Sequence, residues 1–85
     1  MTNQYYDEML NTYIPWGSST CSKHASLTPE EPAVLVSGKG CSVKDADGKE
    51  NIDFKNALGP ISLGSTYEPV NAASRAQLDN GILFS

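Results

Sequence analysis

The sequence predicts an α+β chain: a short N-terminal helix, a long irregular segment, a three-stranded antiparallel meander, a loop and a second helix. Three observations predict it. Tyr6, Met9, Leu10 and Tyr13 recur at spacings of three and four, which places them on one helical face. Residues 33–54 carry β-branched and alternating apolar positions broken by Asp47-Gly48, a dipeptide that tolerates the positive φ of a tight hairpin. Pro69 and Gly81 bracket a further helical stretch, as a first-turn proline and a C′ glycine do.

Taken in order, Asn3 to Tyr13 is the first helix, capped by Thr2 or Asn3 and stopped by Pro15. Asp7 and Glu8 lie towards its positive end. Ile14 to Pro32 holds Pro15, Gly17, Pro29 and Pro32 around a Ser/Thr-rich run, and is expected to be irregular and to lie on something else. Ala33 to Ser37 is the first strand, Gly38-Lys39-Gly40 a turn, Cys41 to Asp45 the second strand and Asn51 to Phe54 the third. In the third, Ile52 and Phe54 alternate with Asp53, giving one apolar and one polar face. Ala57 to Thr66, punctuated by Gly59, Pro60 and Gly64, is a loop. The second helix runs from about Pro69 to Asn80. Ile82-Leu83-Phe84-Ser85 begins an apolar pattern and stops, which reads as truncation.

Composition narrows the function classes. Eighty-five residues, 39% hydrophobic and 19% charged, with two Phe, four Tyr and one Trp, make one small unit with a thin core. Two cysteines and one histidine fall short of the four ligands of a structural zinc site. The net charge is −4, and Lys39, Lys44, Lys49 and Lys55 are interleaved with Asp45, Asp47, Glu50 and Asp53. That is a solvated mixed face, not the basic stripe of a nucleic-acid binder. The polar, acidic N-terminus is no signal peptide and no apolar run spans a membrane. The expectation is a cytoplasmic protein whose Cys21 and Cys41 are reduced, buried or interface thiols.

Isolated chemical motifs are weak. Asp45-x-Asp47-Gly48 places glycine too early for a calcium loop, so it is read as a turn. His24 has Cys21, Ser22 and Ser26 nearby in sequence, but nothing identifies a group to orient it as a base, so it is read as an exposed or partner-facing loop residue. Gly38-x-Gly40 lies between strands and cannot offer a helix N-terminus to phosphate. Tyr5, Tyr6, Tyr13 and Trp16 are read as core or interface aromatics.

The ordered set of short motifs says more. Ile14-Pro15, Gly38-Lys39-Gly40, Asp45-Ala46-Asp47-Gly48, Ile52-Asp53, Gly59-Pro60-Ile61-Ser62-Leu63-Gly64, Glu68-Pro69 and Gly81-Ile82-Leu83-Phe84 follow one another at spacings that resemble the N-terminal segment of class III pyridoxal-phosphate (PLP)-dependent aminotransferases. The similarity is greatest to the glutamate-1-semialdehyde aminomutase-like branch. The resemblance implies the N-terminal part of a homodimeric fold-type I enzyme that moves an amino group to or within an aldehyde or keto substrate. It implies residues 1–32 as a helix and extended dimer- and substrate-loop segment, and 33–85 as the antiparallel sheet plus helix of the small domain. The Schiff-base lysine, the pyridinium-facing aspartate and the phosphate cup fall, by this resemblance, in a large domain absent from this sequence, so the chain alone is expected to be inactive and poor at binding PLP.

By the same resemblance, Thr20, Cys21, Ser22 and Lys23 match a Ser-Pro-Val-Arg element that engages the substrate carboxylate. Lys23 keeps the charge without arginine's bidentate fork. Leu58 stands where the aminomutases carry an aromatic beside the substrate, and Gly59 follows it. Thr20, Lys23, Leu58 and Gly59 are therefore the implied substrate-binding positions, and the departures at Lys23 and Leu58 point away from glutamate semialdehyde itself. The other reading is a free-standing small α+β binding or interaction module that shares only the hairpin and has no catalytic activity.

Overall fold

A computed structural model of the chain describes residues 1–24, 28 and 30–84. Its architecture is α+β, two helices and a three-stranded sheet. Helix α1 runs Asn3–Tyr13. Thr2 caps it, its Oγ1 accepting the Tyr5 N–H at 3.1 Å, a contact worth about 1 kcal/mol. Tyr6, Met9 and Leu10 are half-buried as the spacing predicts, but Tyr13 is 75% exposed. The chain turns back there: the 3-10 turn Pro15–Gly17 packs on α1, and its buried Gly17 lies against Leu10 and Asn11. The segment expected to be irregular contains this turn and a second 3-10 turn, Cys21–Lys23; its residues 25–27 and 29 lie outside the described residues.

Strands β1 (Leu35–Lys39), β2 (Ser42–Asp45) and β3 (Glu50–Ile52) form an antiparallel sheet in the order β1-β2-β3. Leu35 pairs with Asp45 and Ser37 with Lys44, leaving Val36 as a bulge. The meander is as predicted and its edges are shifted. Gly38 and Lys39 belong to β1, so the turn falls at Gly40-Cys41 and not across Gly38-Lys39-Gly40. β3 ends at Ile52, and Phe54, expected on its apolar face, is 90% exposed beyond it. Asp53 ends the strand: its N–H still donates to Cys41 O at 2.8 Å, and its side chain then captures the amides that follow.

The loop after β3 begins with a 3-10 turn, Asn56–Leu58, and returns to the sheet at Gly40, which exchanges two 2.9 Å backbone hydrogen bonds with Ser65. This explains the Gly-x-Gly motif. A Cβ on Gly38 would stand 2.8 Å from Ser65 Oγ and 2.9 Å from Ser65 Cβ, and one on Gly64 would meet the Gly40 backbone at 3.0–3.1 Å. Gly38 and Gly64 serve this close approach, while Gly40, where a Cβ would meet nothing, takes the positive φ (58°) of the turn. Helix α2 runs Glu68–Asn80, with Pro69 in its first turn and Gly81 (φ 98°) closing it through an N–H to Leu78 O.

Packing is sparse. Among the described residues Val43, in β2, is the one buried apolar side chain. The radius of gyration is 14.9 Å, against about 12 Å for a compact domain of this length. Leu83 is 92% and Phe84 78% exposed. Cys21 and Cys41 are free thiols, exposed and not buried. Among the described residues no helix is long and apolar enough to cross a membrane, and no three of His, Cys, Asp or Glu converge as a metal site.

Candidate functional site

Two aspartate-led turns organise the surface on which the implied site residues lie. The first is the hairpin turn after β2. Asp45 is buried, and its Oδ1 accepts the N–H of Asp47 at 3.0 Å and of Lys49 at 2.9 Å. The Asn3 N–H donates to Asp47 Oδ1 at 3.0 Å, and Asn3 Oδ1 accepts the Ala46 N–H at 3.2 Å, so the start of α1 is stitched onto this turn. Burial raises the Asp45 pKa. Hydrogen bonds from the Asn3 side chain and from the Lys49 and Asp47 amides, with the nearby Lys49 charge, outweigh it and hold the carboxyl below its ordinary value.

The second turn follows β3. Asp53 Oδ1 accepts the N–H of Lys55 and of Asn56, each at 2.9 Å. The next three residues are left-handed without being glycine: Asn56 and Ala57 at φ 51° and Leu58 at φ 70°, followed by Gly59 at φ 117°. Ala57 and Leu58 each cost roughly 1–2 kcal/mol there, Asn56 less. The turn is closed by Leu58 N–H to Lys55 O (2.9 Å), Gly59 N–H to Asn56 O (2.8 Å) and Ile61 N–H to Asn56 O (3.3 Å). Leu58 and Gly59, implied as substrate-facing, are both exposed here.

Thr20 and Lys23 stand on the Cys21–Lys23 turn. Thr20 Oγ1 lies 3.3 Å from Ser22 Oγ, and the Thr20 carbonyl accepts from Ser18 Oγ (2.6 Å) and from the Lys23 N–H (3.1 Å). Both side chains are exposed. The link to the second turn is Lys55, whose Nζ donates to the Ser22 carbonyl at 2.9 Å. An open groove of about 670 Å³ runs alongside, lined in part by Lys23, Val43, Ile52, Phe54 and Lys55. Lys23 lines this groove, whereas Thr20, Leu58 and Gly59 lie outside its lining. His24, read as an exposed or partner-facing loop residue, is half-buried, its ring tilted 6.3 Å from that of Trp16.

Sequence reading placed Asp53 in a strand motif and Lys55 on a mixed face, but assigned neither a role in the site. A signal was present: an aspartate two and three residues before Lys55 and Asn56 is the spacing at which a carboxylate captures following amides. The Lys55–Ser22 contact, formed across a long sequence separation, left no local trace.

No protein-family model matches the chain. Curated proteins do. A glutamate-1-semialdehyde 2,1-aminomutase of Clostridium botulinum (strain Eklund 17B / Type B) is 38% identical over 99% of this chain and 20% of its own length. Its namesake in Thermus thermophilus is 32% identical over 96% of this chain and 19% of its own. Among solved structures, the FumI protein of Sphingopyxis sp. MTA144, in its PLP internal aldimine form, superposes with a TM-score of 0.79 at 30% identity. It is matched over 93% of this chain and 19% of that one. An omega-transaminase from Sphaerobacter thermophilus gives a TM-score of 0.78 at 25% identity, over 98% of this chain and 18% of that one. The chain thus spans about a fifth of the length of the proteins it matches.

PLP does not fit the described residues taken by themselves. All five lysines are exposed, the buried carboxylate of Asp45 is occupied by turn amides, and the grooves are open to solvent. No chemical step is assigned to that cofactor on these residues.

Proposed function

We propose, from the premise that this chain is the counterpart of the N-terminal segment of class III PLP-dependent aminotransferases and aminomutases, that it shapes the substrate pocket and the dimer interface of such an enzyme. Residues 1–32 form the interface and substrate-loop part, and residues 33–85 the small-domain part. The reaction is transfer of an amino group to or within an aldehyde or keto substrate, in a homodimeric cytoplasmic enzyme. The Schiff-base lysine, PLP and the electron sink it supplies belong to the larger remainder that these 85 residues lack, so the chain alone is inactive.

One observation carries the reading: likeness to aminomutases and transaminases runs over nearly all of this chain and about a fifth of theirs. The sparse packing supports it over a free-standing binding module. A sheet whose one buried apolar side chain is Val43 leaves Phe54, Leu83 and Phe84 in water, and such a surface favours a covering neighbour. Lys23, from the groove, offers a point charge to a carboxylate-bearing amino donor; Thr20 adds a hydroxyl and Leu58-Gly59 an apolar surface from the turns outside the groove's lining.

The test is a chimera in which this chain replaces the matching segment of the Clostridium botulinum aminomutase. The expected product absorbs as a PLP enzyme and transfers amino groups. Lys23→Ala then raises KM about tenfold for carboxylate-bearing donors, the scale of one charge-assisted contact of roughly 1.5 kcal/mol. Lys23→Arg should change selectivity among them. A chimera that loads PLP yet gives the same KM for every donor with Lys23 and Thr20 both replaced by alanine would remove these residues from the pocket. An isolated chain that offers no dye-binding apolar surface would favour the free-standing module.

A further inference from the structure

We infer that Asp53, acting with Lys55, is a positioning residue for the candidate pocket: its carboxylate sets the left-handed Asn56–Gly59 turn, and the Lys55 side chain ties that turn to the Thr20–Lys23 turn. The proposal rests on the pocket reading for its purpose and on geometry alone for its mechanism.

Left-handed backbone at three successive non-glycine residues is not held by propensity, because each Cβ crowds the neighbouring carbonyl. Something must over-determine it. The Asp53 carboxylate is placed to do so. Its own N–H is fixed to Cys41 O at 2.8 Å, so its backbone is an extension of the sheet. From that fixed point Oδ1 takes the amides of Lys55 and Asn56 at 2.9 Å each. The chain enters Asn56 already bent, and the bonds into the Asn56 carbonyl from Gly59 and Ile61 complete the turn.

Lys55 is held at both ends. Its amide is Asp53's first ligand, and its Nζ reaches the Ser22 carbonyl at 2.9 Å. Lys23 follows Ser22 directly, and Leu58 and Gly59 lie three and four residues beyond Lys55. The two pairs of implied substrate positions, far apart in sequence, are thereby carried on one brace. Nothing else joins these two turns among the hydrogen bonds of the described residues.

Isotope-labelled 85-residue chain tests this without substrate or cofactor. A positive φ gives a strong intraresidue HN–Hα NOE, expected at Asn56, Ala57 and Leu58. Asp53→Ala should lose all three while β1–β3 amides keep their protection, and should shift the Ser22 amide. Asp53→Asn retains an acceptor oxygen and should restore both. Lys55→Ala should leave the three NOEs intact and shift only the Thr20–Lys23 amides. If Asp53→Ala unfolds the chain, a synthetic version carrying D-alanine at position 57, which prefers the left-handed region, should refold it with the NOEs of Asn56 and Leu58 restored, a D residue giving no such NOE of its own at positive φ. Absence of the NOEs in the native sequence, their persistence in Asp53→Ala, their loss in Asp53→Asn, or failure of the D-alanine rescue each overturns the inference. Failure of the donor kinetics in the chimera, with the brace intact here, would overturn only the pocket reading.

Discussion

Asp45 and Asp53 do the same local job at opposite ends of β3, and the two turns they lead could hardly differ more in support. Each carboxylate accepts two backbone amides within a few residues of itself. The Asp45 turn needs a positive φ only at Gly48 and is buttressed by α1 through Asn3. The Asp53 turn puts Asn56, Ala57 and Leu58 in the left-handed region and has the single Lys55–Ser22 strut. The same capping chemistry therefore builds a relaxed structural corner in one place and a strained one in the other. Strain of that kind persists where surroundings impose it, and it tends to mark functional surface.

The contrast can be broken most severely at Asp45. Asp45→Ala should abolish hydrogen-exchange protection at Asp47 and Lys49 and release α1 from the sheet, seen as a loss of helical circular dichroism. Asp53→Ala should leave both untouched. Equal damage from the two substitutions would erase the distinction.

Acid should reach the same end more gradually. The Asp45 carboxyl is held below its ordinary value of 3.8 in the fold, so it favours folding fully above that pH. The contribution fades as pH falls through 3.8 towards the lower folded value. A pH series of thermal melts should show this decline, and Asp45→Asn should flatten it.

Where the second turn's loop rejoins the sheet, Gly38→Ala forces a methyl onto Ser65 and should cost about 2 kcal/mol in denaturant unfolding. Ser65→Gly in the same chain should recover most of it. An additive pair would mean that the two backbones do not meet there.

The smallest effect is the sharpest. Ala57→Gly relieves a left-handed alanine and should stabilise by up to about 1 kcal/mol. Ala46→Gly, in the relaxed turn where φ is ordinary, should instead lose roughly 0.5–1 kcal/mol. Opposite signs in matched melts confirm the comparison; like signs dismiss it.

How far the fold was legible follows from range. Helix α1 was readable in its bounds because its spacing, a cap at Thr2 or Asn3 and its stop at Pro15 are all local. The place of the hairpin was readable too, although its turn centres on Ala46-Asp47, closed by Gly48 N–H to Asp45 O, with a positive φ at Gly48 alone; α2, bracketed by Pro69 and Gly81, starts one residue earlier at Glu68. The strand ends were misplaced because Gly38-Lys39-Gly40 looks like a turn until Ser65 is seen lying on it. Phe54 looked like a strand residue because alternation does not reveal that the Asp53 side chain captures the following amides and ends the ladder there. Of the implied site residues, Lys23 lines the groove, while Thr20, Leu58 and Gly59 lie outside its lining on exposed turns.

The sequence by itself determined which segments coil, extend or turn, since those choices rest on φ preferences and side-chain period within a few residues. Folding decided what those segments do to one another. The approach of Gly64–Ser65 to Gly38–Gly40, the seating of α1 on the Asp45 turn, and the strut from Lys55 to Ser22 are contacts between parts distant in the chain. Each depends on where a backbone atom arrives in space, and no local propensity encodes that.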